Sequence, residues 1–243
     1  MSIYPFDLVL ALALGWSLIF LGGLPMRLLR IEFFYRQIGL AGVAWMLVAA
    51  LSPGSILHFD IFIGLLCLLA WWRWHGDHGL SGRFWLSIAS GLGISLGTVL
   101  TLAVTPGAYP GGTGLAGQIL FLAGVYLGGA VIGLAYILYV FTRRPATLAD
   151  VPVELVQGYG RLLLLLTLAR TGVELLRPAN SFWVMAMPAK VRLILAATLI
   201  ILTLPLLAWW AWRRIRSPSP SSSEAPLLAL CVLGIGAEIL AKL

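Results

Sequence analysis

Eight apolar runs fill most of this sequence, at positions 6–26, 37–51, 56–72, 84–105, 115–141, 153–176, 191–212 and 226–243. Charged residues, Pro/Gly turns and aromatic flanks separate them. A helix needs about 20 residues to cross a bilayer core. The 243 residues are therefore filled by about eight crossings and short turns, leaving little for a water-soluble domain. The expected fold is all-α: a polytopic integral membrane protein, one transmembrane domain over 1–243, with its helices in two packed helical bundles.

Composition excludes several alternatives. The chain is 60% hydrophobic and 10% charged, with a mean hydropathy of +0.99. Soluble domains are nearer half apolar and a quarter charged. A soluble globule, a disordered tail and a nucleic-acid-binding module do not fit, so no nucleic-acid partner is expected. The formal net charge of +7 is assigned to cytoplasmic loops. Cys67 and Cys231 sit in apolar runs and read as packing residues, not as a disulfide or thiol metal site.

Two local features qualify the span count. The runs 37–51 and 56–72 flank Ser52-Pro53-Gly54-Ser55, which reads as a tight hairpin because Pro removes a backbone donor and Gly permits reversal. A re-entrant pair is the alternative, since 37–51 is short for a crossing. The run 6–26 has no basic segment before it and no small-residue cleavage site, so it is expected to be retained as a span. The Ser/Pro patch from Ser217 to Ser223 predicts a flexible loop over 217–225, between the seventh and eighth runs.

Orientation follows the arginines. Arg27, Arg30 and Arg36 follow the first run, Arg73 and Arg83 the third, Arg143 and Arg144 the fifth, and Arg213, Arg214 and Arg216 the seventh. The turns after the second and fourth runs carry no Lys or Arg. Alternation of this kind predicts odd-numbered loops in the cytoplasm and both termini outside. Arg177, Lys190 and Arg192 after the sixth run depart from it. Trp71, Trp72, Trp74 and Trp85, and Trp209, Trp210 and Trp212, fall at the same predicted interface and read as an aromatic belt.

Ionisable groups inside apolar runs carry more information, because each is costly unless paired or hydrated. His58 and Asp60 open the third run. Glu154, Gln157, Tyr159 and Arg161 lie near the inner end of the sixth. Arg170 and Glu174 lie near its outer end, four apart and so on one helix face. Glu154 and Arg161, seven apart, share another stripe. Glu238 lies in the last run, four before Lys242. Gln118 opens the fifth run, and Tyr109 lies in the Gly/Pro loop before it. His58, Asp60, Tyr109, Gln118, Arg170 and Glu174 thus converge at the outer level as the candidate site. A histidine there titrates near neutrality and accepts a proton readily. Each also has a plain reading, as a satisfied interfacial or ion-paired residue.

Small residues four apart, Ser87/Gly91, Gly93/Gly97, Gly124/Gly128 and Gly129/Gly133, read first as close helix packing and second as a wall leaving room for a flat ligand. The three histidines are not placed at mid-depth on facing helices, as a dihaem cytochrome needs. His75, Asp77 and His78 read as a polar loop, and no metal site is assigned. No phosphate cradle, nucleophile elbow or acidic diphosphate-binding cluster is visible.

The stretch Phe121-Leu122-Ala123-Gly124-Val125-Tyr126-Leu127-Gly128-Gly129-Ala130-Val131-Ile132-Gly133 resembles the aromatic-rich, Gly-Gly helix of the membrane-anchor subunits of the dimethyl sulfoxide reductase family, relatives of the polysulfide reductase anchor. Val191-Arg192-Leu193, Pro205-Leu206, Pro226-Leu227-Leu228, Ala237-Glu238-Ile239-Leu240-Ala241-Lys242 and Gly23-Leu24-Pro25-Met26-Arg27 add to the resemblance. Lys242 stands where that family has arginine, and the Pro-Met-Arg turn follows the first helix here but the second there.

The resemblance implies a haem-free, quinone-reactive subunit of a multi-subunit oxidoreductase. Its bound substrate would be a quinone such as menaquinone. Its partners would be an iron–sulfur electron-transfer subunit and a catalytic molybdopterin subunit, which alone carry those cofactors. His58 would accept the hydroxyl proton, oriented by Asp60. Gln118 would bond a quinone oxygen, with Tyr109 beside it, and Arg170 and Glu174 would hold site geometry. Glu238, Glu154 and Arg161 are proton-relay candidates. A small-solute transporter and a lipid- or isoprenoid-modifying membrane enzyme are the competing readings. The first expects an inverted repeat; the second expects Glu154, Arg161, Glu174 and Glu238 to meet in one cavity.

Overall fold

A computed structural model describes residues 4–23, 31–51, 57–74, 115–143, 152–176, 187–216 and 223–242. These form helices α1 (Tyr4–Gly22), α2 (Ile31–Leu51), α3 (Leu57–Trp74), α4 (Leu115–Arg143), α5 (Val153–Leu175), α6 (Met187–Thr198), α7 (Leu204–Ile215) and α8 (Glu224–Lys242). A π-helical turn, Leu199–Thr203, joins α6 to α7 as one continuous rod. Among the described residues there is no strand. The run predicted at 84–105 lies outside them. So does most of the serine-rich stretch, although Ser223 is fully buried and α8 begins at Glu224, inside the loop expected over 217–225.

The span count expected from the sequence is overturned. Among the described residues three helical stretches are long and apolar enough to cross a membrane: Ile119–Arg143, Met187–Ile215 and Glu224–Ala241. The chain thus has membrane-protein character, but the described residues do not hold about eight such spans. Apolar runs were delimited by their breaks, whereas a crossing also needs length and very few charges. Among the described residues α1 contributes the shorter apolar stretch Leu8–Gly22. Within α5 stand Glu154, Arg161, Arg170 and Glu174. By contrast α4, at 29 residues, is about 44 Å long, more than a hydrocarbon core.

Nor do the described residues form two packed bundles. One continuous apolar core runs from Leu8 and Leu12 of α1, through Ile38 and Trp45 of α2 and Leu134 to Phe141 of α4, to Leu163, Ala208, Leu227 and Ala237. Helix α4 is its axis, packing against α1, α5 and α8, while α2 and α3 pair with each other and α7 lies against α5 and α8. Leu40, Leu47, Phe62, Leu65, Leu165, Leu202, Leu206 and Val232 face outward. Such an apolar exterior suits lipid and would be costly in water.

Glycines set how closely the axis is approached. A Cβ at Gly133 would lie 2.8 Å from Ala13 O and 2.8 Å from Ser17 N, and one at Gly129 2.7 Å from Leu12 Cβ. The backbones of α1 and α4 therefore cross in direct contact, as small residues allow. Because Leu12 meets Gly129 and Ser17 meets Gly133, the two helices run in the same direction.

That direction, with the contacts of Gln37 to Tyr136, Phe20 to Tyr159, and Gly160 to Trp212, brings one set of helix ends together. They carry Arg36, Arg143, Arg213, Arg214 and Arg216. Arg213 lies over the Trp209 ring at 5.1 Å and Arg216 over Trp212 at 4.3 Å. Indole and guanidinium groups stack at this end of the bundle, as they do at membrane interfaces.

The π turn has an identifiable cause. Leu204 N–H bonds to Leu199 O, one residue further back than in an α-helix. Pro205 has no N–H to offer the carbonyl of Ile200. Thr171 Oγ1 on α5 donates to Ile200 O instead, at 3.0 Å, so the freed acceptor is satisfied from a neighbouring helix.

Candidate functional sites

Two constellations stand out: a buried ion triad between α4, α5 and α8, and a cleft between α4 and the α1–α3 group. The triad centres on Arg170. Its Nη1 donates to Glu174 Oε2 at 2.9 Å, its Nε to Glu238 Oε1 at 2.7 Å, and its Nη2 to Glu238 Oε2 at 3.4 Å. Arg170 is 4% and Glu238 2% exposed. The planar fork of the guanidinium meets the Glu238 carboxylate with two donors, the geometry that best repays desolvation of a buried ion pair.

Helix α4 makes the room. A Cβ at Gly128 would collide with the Glu238 carboxylate, and one at Gly124 would touch Arg170 Nη1 at 3.4 Å. At Gly124 and Gly128 the glycine wall legible in the sequence is thus filled by the chain's own charges, while Ser87, Gly91, Gly93 and Gly97 lie outside the described residues.

The expected site residues do not all meet there. Arg170, Glu174 and Glu238 are brought together. Glu154 and Arg161 stand exposed nearer the other end of α5, so the four-residue cavity of Glu154, Arg161, Glu174 and Glu238 is not formed. His58 and Asp60 fall on the start of α3, and Gln118 on the start of α4, but their side chains lie outside the described residues, as do all of Tyr109 and the His75–His78 loop. Helix α3 packs chiefly on α2, while Arg170 and Glu174 belong to α5. Among the described residues no group of three or more His, Cys, Asp or Glu side chains could hold a metal. Cys67 and Cys231 are free thiols.

The cleft was not anticipated. Tyr136 of α4 donates its hydroxyl to Gln37 Oε1 of α2 at 3.0 Å. On one side of this pair is an apolar chamber of about 380 Å3, lined by Leu14, Ser17 and Leu21 of α1, Ala44 of α2, Gly133 and Ile137 of α4 and Cys231 of α8, among others. Ser17 turns its hydroxyl to Leu14 O, which leaves the wall apolar. On the other side is a groove of about 820 Å3 with Arg36, Gly39, Leu68, Trp71, Tyr139 and Arg143 in its lining. Gln37, Leu40, Val43 and Tyr136 line both spaces and so stand where the two adjoin.

Local sequence explains the cleft. Tyr136, Tyr139, Val140 and Arg143 recur at i, i+3, i+4, i+7 on α4, and Arg36, Gly39, Leu40 and Val43 do so on α2, so each set forms one stripe. Gly39 admits the Trp71 indole, whose Cδ1 would be 3.0 Å from a Cβ there. The signal that sequence reasoning passed over was Gln37, an amide at the start of an apolar run. Its partner Tyr136 lies 99 residues away, beyond any local spacing rule.

Comparison with protein-family models, with curated proteins and with known structures found no match to this chain.

Proposed function

We propose that this chain is a haem-free, quinone-binding membrane subunit, and that the quinone ring sits beside the Tyr136–Gln37 pair, where groove and chamber adjoin. The carrying observation is the Tyr136–Gln37 pair at the edge of an otherwise apolar space. Small-molecule sites are mostly apolar clefts of about 300–1,000 Å3 with a few placed polar groups. A quinone needs that combination: donors for its ring oxygens and an apolar chamber for the start of its isoprenoid tail. The Gln37 amide NH2 donates to one ring oxygen, and Tyr136 O–H, by donating to Gln37 Oε1, turns that NH2 toward the ligand. The side chains of Gln118 and Tyr109, the binding residues expected from the sequence, lie outside the described residues, and here the role is proposed for Gln37 and Tyr136.

In this reading the chain acts within a multi-subunit oxidoreductase. The iron–sulfur and molybdopterin groups, held by the partner subunits, would take up the two electrons of a quinol, and its two protons would pass to water in the open groove. Tyr136 and Gln37 bind and orient the ring, and the aliphatic wall excludes water. The arginine-bearing helix ends face the cytoplasm of a bacterial or archaeal cell, which puts the start of α1 and the end of α8 outside. The resemblance of residues 121–133 to redox membrane anchors supports the choice of quinone over other amphiphiles.

The test is binding. Purified protein in lipid nanodiscs is titrated with a menaquinone analogue and followed by tryptophan quenching. Loss of one polar contact costs about ten-fold in affinity, so Tyr136→Phe and Gln37→Leu should each bind about ten-fold more weakly. An affinity indifferent to both substitutions, or no binding at all, overturns the reading.

A further inference from the structure

The outer groove carries chemistry that a quinone does not require. Arg36 and Arg143 both line it, and among the described residues no acidic side chain does. Among the described residues neither arginine is in an ion pair. Arg143 is also held in place: its Nη1 donates to Tyr139 Oη at 2.9 Å, and its guanidinium lies 5.8 Å from the Tyr139 ring centroid. Further along the same helix faces the groove has an apolar floor that includes Leu40, Val43, Leu68 and Val140. Leu40 and Val43 are each 54% exposed, on the outward side of α2. Two cations above an open apolar trough complement a ligand with an anionic head and a hydrocarbon chain.

We infer that this groove is a binding site for one anionic phospholipid of the surrounding bilayer. The phosphate would lie between Arg36 and Arg143, where guanidinium forks match phosphate oxygens. The Trp71 indole and Tyr139 phenol flank the headgroup, and an acyl chain follows Leu40 and Val43 down the outside of α2. The site lies at the arginine-bearing end of the bundle, where anionic headgroups and juxtamembrane cations attract. A neutral lipid would gain the trough but not the two charged contacts. This inference does not rest on the quinone reading.

The experiment uses the full chain, purified in detergent, and native mass spectrometry to count retained lipid after addition of phosphatidylglycerol or phosphatidylcholine. Wild type is expected to hold one phosphatidylglycerol and to prefer it to phosphatidylcholine. Arg36→Gln/Arg143→Gln should lower its affinity about ten-fold. Val140→Trp, which fills the trough and keeps both charges, should weaken it as well. Arg213→Gln/Arg216→Gln removes the same charge from the same end of the bundle outside the groove and should leave binding at the wild-type level. Sodium phosphate in place of lipid should not compete at equal concentration. Equal loss in both arginine pairs would mean diffuse surface charge, and competition by phosphate alone would mean ion binding without a lipid. Either result overturns the inference, as does unchanged affinity in Arg36→Gln/Arg143→Gln.

Discussion

Arg170 and Glu238 lie 68 residues apart in sequence and meet at 2.7 Å, Nε to Oε1, with both side chains buried. The contact ties α5 to α8 against the glycine face of α4. Glu174, one turn along α5, takes the remaining edge of the guanidinium. In apolar surroundings the alternative to such pairing is a stranded charge, so few other helix arrangements are tolerated.

Removing the centre of the triad should therefore do more harm than removing the whole. Arg170→Ala leaves two buried carboxylates without their cation and should cost about 3–5 kcal/mol. Arg170→Met/Glu174→Gln/Glu238→Gln, which abolishes the charges together, should recover most of that loss. Thermal unfolding in detergent measures both, and a single variant as stable as wild type refutes the assignment.

Gly128→Ala should destabilise by about 1–3 kcal/mol, because its methyl group collides with a packed carboxylate. In a Glu238→Ala background the same substitution should cost much less, a coupling of about 1 kcal/mol or more. Gly158→Ala serves as the contrast. A Cβ there meets nothing within 4 Å, so unfolding should be unchanged or stabilised by about 0.5–1 kcal/mol.

Thr171→Val should cost about 1–2 kcal/mol, since it keeps the shape and strands the Ile200 carbonyl. Adding Pro205→Ala supplies a backbone N–H within reach of that carbonyl and should restore stability. Amide hydrogen exchange over residues 199–206 reads the repair directly. Equal exchange in the single and double variants would dissociate the proline from the π turn.

Gly133→Ala should be harsher than Gly128→Ala. Its methyl group meets backbone atoms of α1, Ala13 O and Ser17 N, which cannot rotate away as a glutamate can. Overpacking of this kind costs about 1–3 kcal/mol or more. Because Gly133 also lines the apolar chamber, menaquinone-analogue binding should weaken alongside the unfolding midpoint. Preserved binding with a lowered midpoint would place the ligand elsewhere.

Local spacing made part of this legible. Arg170 and Glu174 are four apart, and their pairing follows from helix geometry alone. Glu238 was visible as a costly intramembrane acid, but its partner was not, because nothing within a turn of it points to α5. Gly124 and Gly128 announced a close approach without saying that a carboxylate would be what approached. The helices over 115–143 and 153–175 were readable because their apolar runs are long and well bounded. The number of crossings was overcounted because an apolar stretch with four charges, such as α5, resembles a span until its charges are weighed. The Gln37–Tyr136 pair escaped because an amide and a phenol on separate helices carry no shared period.

The triad also constrains how the polypeptide can be made. During synthesis α5 emerges well before α8, so Arg170 must wait, matched only by Glu174, until the final described helix delivers its counterion. A ribosome-bound intermediate ending before residue 238 would hold an immature bundle, prone to slip from the translocon or to attract a membrane chaperone. Completion of α8 thus acts as the latch on biogenesis, and truncations that spare every other helix should still be degraded.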